Sequence, residues 1–138
     1  MNIFGNSLFT PKSETYYLTE DTTIRQALEK FDHHKFSVVP LICKDGTYLT
    51  TVSEGDILRY IKNQANFDIR QAENVLVRQI EKYRPYRACR HDVSEQEIFR
   101  LALEQNFVPI VDDRNSFIGI VKRKDILNLL CADINARE

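Results

Sequence analysis

TTVSEGDILRYI, residues 50–61, and GIVKRKDILNLL, residues 119–130, decide how this chain is read. Both pair a β-branched run with a polar triplet and then Asp-Ile-Leu opening an apolar stretch. The triplets differ: Ser53-Glu54-Gly55 in one and Lys122-Arg123-Lys124 in the other. Working outward at the same offset, Val39, Pro40, Val52, Asp56, Ile57 and Leu58 recur as Val108, Pro109, Val121, Asp125, Ile126 and Leu127. Conservative pairs fill the gaps, among them Leu41 with Ile110 and Tyr48 with Phe117. Further upstream, Thr23-Ile-Arg-Gln26 matches Ser94-Glu-Gln-Glu97, and both have the form of a capping box. The chain is written twice, and an internal repeat constrains the architecture more than any single motif.

Each copy reads as helix, strand, strand, helix. After the Thr23 cap, Ile24, Ala27, Leu28 and Phe31 follow helical spacing, as Ile98, Leu101 and Ala102 do after Ser94. The pattern predicts a helix over 23–33, strands over 37–42 and 47–52 and a helix over 54–63. The second copy should have a helix over 95–105, strands over 107–111 and 117–122 and a helix over 123–132. Lys44-Asp45-Gly46 and Asp112–Asn115 are the hairpin turns. Thr15–Leu18 and Tyr86–Cys89 read as short strands leading into each copy. The second copy is two residues shorter where the first holds His33-His34, and a polar loop is expected to absorb the difference. The organisation is an N-terminal segment 1–14, a first motif 15–63, a partly helical connecting segment 64–84 and a second motif 85–138. A half of this size is marginal alone, so the two copies are expected to share one core about a pseudo-twofold axis. The fold class is α+β.

Composition narrows the function. The chain has 138 residues, a net charge of −1, 43% hydrophobic and 28% charged residues, which is the profile of a soluble globular protein without a field that steers it to nucleic acid. No apolar run approaches the ~20 residues that span a bilayer. MNIFGNSLFTPKSE lacks the basic and apolar regions of a secretory signal, so the cytoplasm is the default location. Cys43, Cys89 and Cys131 are far apart and form no C-x-x-C, which points to small buried side chains. His33-His34 and His91 have no third metal ligand at a suitable spacing. No nucleophile–base motif or glycine-rich phosphate loop occurs among four glycines, so no catalytic or metal residue is assigned and an enzyme is not expected. KYRPYRACR, residues 82–90, interleaves basic and aromatic residues, but without a basic background it reads as a linker with solvated arginines.

The chain resembles a pair of CBS domains, the arrangement called a Bateman module. The resemblance rests on Phe36–Leu41 with Asp45-Gly46 and Tyr48–Leu58, and on Asn106–Val111 with Phe117–Leu127. It covers nearly the whole chain and is similar to small stand-alone prokaryotic CBS-pair proteins. It implies a βαββα fold in each motif and a cleft that in the family often holds AMP, ADP, ATP, S-adenosylmethionine or a cyclic dinucleotide. It implies a regulatory module, with no required cofactor, that signals to an unknown protein partner and forms a homodimer. Helix residues Ile57, Leu58 and Ile61 and their counterparts Ile126, Leu127 and Leu130 would contribute to the dimer.

In relatives a Ser/Thr-x-x-Asp stretch meets ribose hydroxyls through its Asp, and Ser53-Glu-Gly-Asp56 fits that pattern. A carboxylate is apt to accept from two vicinal hydroxyls. The same residues read as a helix cap, and the roles are compatible. Lys122 replaces the capping serine in the second copy, where Asp125 keeps the place of Asp56. Three cations then stand at a helix start, against the dipole. Either Asp125, Asp112 or Asp113 neutralises them, or the cluster serves an anion. The resemblance aims Lys124 and Lys122 at ligand phosphates. It also places Thr22, Ser37 and Asn106 against the ligand and Val39 and Val108 beside the base, although plain core strand accounts for the valines too. Two function classes remain: a sensor of an adenosine-containing ligand, and a dimeric adaptor with no small ligand.

Overall fold

The structure, a computed structural model, describes residues 8–137. Residues 1–7 of the expected N-terminal segment lie outside the described residues. The elements run β1 (Phe9–Pro11), a 3-10 turn (Lys12–Glu14), β2 (Leu18–Thr19), α1 (Ile24–His34), β3 (Val38–Ile42), β4 (Tyr48–Ser53) and α2 (Glu54–Lys62). They continue with α3 (Ile69–Asn74), a 3-10 turn (Val77–Gln79), β5 (Cys89–Arg90), α4 (Glu95–Ala102), β6 (Phe107–Val111), β7 (Phe117–Lys122) and α5 (Arg123–Arg137). The fold is α+β, with the helix-strand-strand-helix order expected in each copy. No helix among the described residues is long and apolar enough to cross a membrane.

Two compact units result. One comprises residues 16–85, the other described residues 8–15 with 86–137. In the first, β2 pairs parallel with β3, which pairs antiparallel with β4. In the second, β5, β6 and β7 repeat that order and those senses. The registers also repeat: Val39 faces Val52 and Val108 faces Val121, with irregularities at Leu41/Ile42 and Ile110/Val111. Each unit has its own buried cluster. Leu18, Ile24, Phe31, Val39, Val52 and Ile57 belong to the first unit's cluster, and Leu8, Ile98, Val108, Ile110, Val121 and Ile126 to the second's.

Local chemistry sets the boundaries. Thr23 and Gln26 close the expected capping box on α1. Ser94 accepts from the Glu97 N–H, but the Glu97 carboxylate turns to Arg100, which also lowers its pKa, so the second box is half made. The expected loop at His33-His34 is a correction: both lie in the last turn of α1, which ends at Lys35 in the left-handed region (φ 60°). His34 stacks on Phe36 and meets the Tyr16 ring at a tilt. The two-residue difference between copies is thus carried by helix length. α4 stops at Ala102, three residues before the expected end, because Gln105 is withdrawn from the helix and buried. Its amide accepts from the Arg87 N–H and donates to the Arg87 carbonyl. That clamp takes Arg87 out of any ladder, so the leading strand is only Cys89–Arg90. The first leading strand is likewise short, at Leu18–Thr19. Of the cysteines, only Cys89 is buried; Cys43 is half-buried and Cys131 exposed, contrary to expectation. α5 runs five residues past its expected end.

Sequence reasoning missed β1. It adds antiparallel to β7, with Phe9 facing Val121 and Pro11 facing Gly119. A Cβ at Gly119 would lie 2.3 Å from the Thr10 carbonyl oxygen and 2.6 Å from the Phe9 ring. The aligned residue in the first copy is Thr50, on an edge to which no strand is paired among the described residues. Gly119→Val is therefore expected to push β1 off β7 and to destabilise the protein by roughly 1–3 kcal/mol, the usual cost of overpacking. Urea denaturation checks it, and an unchanged midpoint would contradict the account.

Candidate functional site

Each copy brings its polar triplet to the same junction. The Glu54 N–H donates to the Ser37 carbonyl at 3.0 Å, and the Arg123 N–H to the Asn106 carbonyl at 2.9 Å. The second helix of each motif is thus tied to the residue preceding its Pro-containing strand. Ser37 and Asn106 both have exposed side chains, and the Asn106 N–H is taken by the Tyr86 hydroxyl at 3.2 Å.

In the first unit Ser53 and Asp56 form a complete capping box. The Ser53 Oγ accepts from the Asp56 N–H at 3.0 Å, and Asp56 Oδ2 accepts from the Ser53 N–H at 2.9 Å. Asp56 Oδ1 accepts from the Tyr83 N–H, also at 2.9 Å. The Asp56 side chain is 6% exposed. Arg59, one turn on, has a guanidinium nitrogen 3.9 Å from Asp56 Oδ1 and its Cζ 3.9 Å over the Tyr83 ring. Lys82 donates to the Val77 and Ile80 carbonyls at 2.5 and 2.7 Å. Burial lowers the Lys82 pKa, and the nearby Asp56 charge opposes that shift. A groove of about 330 Å³ is lined by Asp56, Arg59 and Tyr60 of α2, by Asn63 just past its end, and by Glu81 and Tyr83.

Thr22 is buried, with its Oγ accepting from the Thr19 N–H at 3.2 Å and its carbonyl taking the Val77 N–H. A second groove of about 340 Å³ beside it carries Asp21, Glu29 and Lys30, a balance that does not favour phosphate. Val39 and Val108 are 1% and 0% exposed, inside the two clusters.

The second unit divides its triplet. Arg123 is half-buried and donates through Nε to the Ala102 carbonyl at 2.5 Å, capping the end of α4. Lys122 and Lys124 are exposed at the start of α5. The acids proposed to neutralise them are engaged elsewhere. Asp112 accepts from the Arg114 and Ser116 N–H groups, bonds that hold its carboxyl below the usual value. Asp113 meets Arg90 at 2.5 Å and His91 at 3.2 Å. Asp125 is half-buried, and among the described residues no hydrogen bond or ion pair engages its carboxylate or either lysine. Sequence reasoning could not separate Arg123 from its neighbours, because its partner is a main-chain carbonyl.

Residues 9–63 and 77–132 each match the CBS domain family. The chain belongs to the CBS domain family. Its fold is similar to a CBS domain protein of Streptococcus pneumoniae TIGR4 (TM-score 0.83, 20% identity, 93% of this chain and 86% of that one). It is also similar to the Listeria monocytogenes CbpB protein in complex with c-di-AMP (TM-score 0.82, 19% identity, 95% and 99%). A third likeness is to CBSX2 in complex with AMP (TM-score 0.70, 22% identity, 95% and 96%). No curated protein matches the sequence. As a CBS-domain chain, it carries its two motifs in tandem.

The divided triplet gives a direct test. Arg123→Ala should cost roughly 1–3 kcal/mol through the lost charged hydrogen bond. Lys122→Ala and Lys124→Ala, whose side chains make no hydrogen bond or ion pair among the described residues, should stay within about 0.5 kcal/mol of the parent. Thermal denaturation of the three variants decides it, and equal losses would refute the division.

Proposed function

We propose that this chain is a regulatory module that binds an adenosine-containing nucleotide, such as AMP or c-di-AMP, and passes that event to a protein partner without catalysis. The observation that carries this reading is the pair Lys122 and Lys124, exposed at a helix N-terminus and unpaired among the described residues. Two cations beside a helix N-terminus form a seat for phosphate. Asp125, in the first turn of the same helix, offers a carboxylate to vicinal ribose hydroxyls. The c-di-AMP and AMP complexes of two structural relatives support the ligand class. Asn106, whose carbonyl accepts from the Arg123 N–H, serves as a neighbouring contact. Signalling requires only that the ligand bind one conformational state better than another. Three free cysteines suit a reducing compartment such as the cytoplasm.

Thermal shift and titration calorimetry with c-di-AMP, AMP, ATP and adenosine test the reading. At 100 times its Kd the true ligand should add about 2.7 kcal/mol of stability. Lys122→Ala with Lys124→Ala should weaken a phosphate-bearing ligand about tenfold or more and leave adenosine unaffected, as loss of charged hydrogen bonds predicts. No stabilisation by any of the four at millimolar concentration would end the proposal.

Assembly with a second copy is part of the same reading. Ile57 and Ile126 are buried, whereas Leu127, Leu130 and Ile134 of α5 are 52%, 45% and 57% exposed at spacings that share one helix face. We assign that stripe to a homodimer contact. Leu130→Asp is expected to convert the dimer to monomer in light scattering at constant protein concentration. A parent that is already monomeric would overturn the assignment.

A further inference from the structure

The copies of the Asp-Ile-Leu frame hold their aspartates in opposite conditions. Asp56 has a main-chain N–H on each carboxylate oxygen, from Ser53 and from Tyr83, both at 2.9 Å. The Asp56 side chain is 6% exposed, on the groove that Arg59, Tyr60 and Tyr83 also line. Asp125 is half-buried, and no bond engages its carboxylate among the described residues.

What Asp56 holds is the connecting segment. Tyr83 lies 27 residues away in sequence, and four contacts gather on its stretch: its N–H to Asp56, its ring under Arg59, and the Lys82 ammonium on the Val77 and Ile80 carbonyls. The stack is specific to this copy, because Asn128 stands where Arg59 does in the second frame and offers no cation. Capping α2 needs only the Ser53 pair, so the Tyr83 bond serves something other than the helix.

We infer that Asp56 is a positioning residue that latches the connecting segment onto the first unit, and that its copy of the frame is withdrawn from ligand binding, leaving one nucleotide site per chain at Asp125. The second half of this inference rests on the nucleotide-binding reading above; the latch does not.

Amide hydrogen exchange of residues 77–85 in the full chain tests the latch. Asp56→Ala should speed exchange at the Tyr83 amide about tenfold, the equivalent of one lost hydrogen bond. Ser53→Ala, which removes only a cap, should leave that amide unchanged. Should Asp56→Ala fail to fold, Arg59→Ala removes the stack from a half-exposed position and should raise exchange in the same segment by about threefold, in line with an exposed cation–π contact. Unchanged exchange in the folded variants would overturn the latch.

Calorimetry with c-di-AMP and AMP tests the withdrawal. One nucleotide per chain is expected, with affinity kept within about threefold in Asp56→Ala and lost at least tenfold in Asp125→Ala. Two nucleotides per chain, or equal losses in the two variants, would overturn it. An absence of binding in the parent would instead end the nucleotide reading and with it the single-site claim, while the exchange result still decides the latch.

Discussion

The main-chain bond between the start of each motif's second helix and the residue before its Pro-containing strand holds the rest of the structure in place. Glu54 N–H to the Ser37 carbonyl and Arg123 N–H to the Asn106 carbonyl differ by only 0.1 Å in length. The bond uses no side chain. It fixes where the helix leaves the sheet, and Ile57 and Ile126 therefore enter their cores at equivalent positions. Since backbone holds the junction, the triplets around it are free to differ. Ser53-Glu54-Gly55 and Lys122-Arg123-Lys124 are two chemistries on one frame.

The freedom is used differently in each unit. In the first, the side chains turn inward and along the chain: Ser53 caps, and Asp56 closes the cap and reaches Tyr83. In the second, Arg123 takes over a structural task that no residue has in the first, the Ala102 carbonyl at the end of α4. The leading segments diverge in the same way. Phe36 packs against Tyr16 and Phe31 in the first unit, whereas Gln105 clamps Arg87 by its amide in the second. One anchor is apolar and the other a hydrogen-bonding pair, and both fix the segment that leads into the sheet.

The frame was legible in the sequence because it is written in periodicity and repeated in register. Val39, Val52, Val108 and Val121 announced two hairpins, and the strands at 107–111 and 117–122 stand where the pattern put them. What escaped has no periodic signature. β1 pairs across more than a hundred residues, and its one local trace is Gly119, whose missing side chain admits Thr10 and Phe9. The ends of α1 and α4 escaped because a left-handed lysine and a buried glutamine set them, and neither is a standard stop signal. At the candidate site, the types of Asp56 and Asp125 were legible and their conditions were not, since Tyr83 reaches Asp56 through a backbone N–H that no residue type discloses.

The two free lysines carry the remaining argument. A cation in the first turn of a helix opposes the dipole at a cost of roughly 0.3–1 kcal/mol when exposed, and a lysine before α5 forfeits a cap worth about 0.5–2 kcal/mol. Among the described residues no hydrogen bond or ion pair of either lysine recovers those amounts: of the triplet, only the Arg123 side chain is bonded, and the acids Asp112 and Asp113 are bonded to their own turn and to Arg90 and His91. The first copy demonstrates that the same frame accepts a serine cap and a glycine in those places. Stability therefore does not explain Lys122 and Lys124. The proposed anion at the start of α5 would, because it would reverse the sign of both terms: the dipole and the lysines would act on the same negative charge.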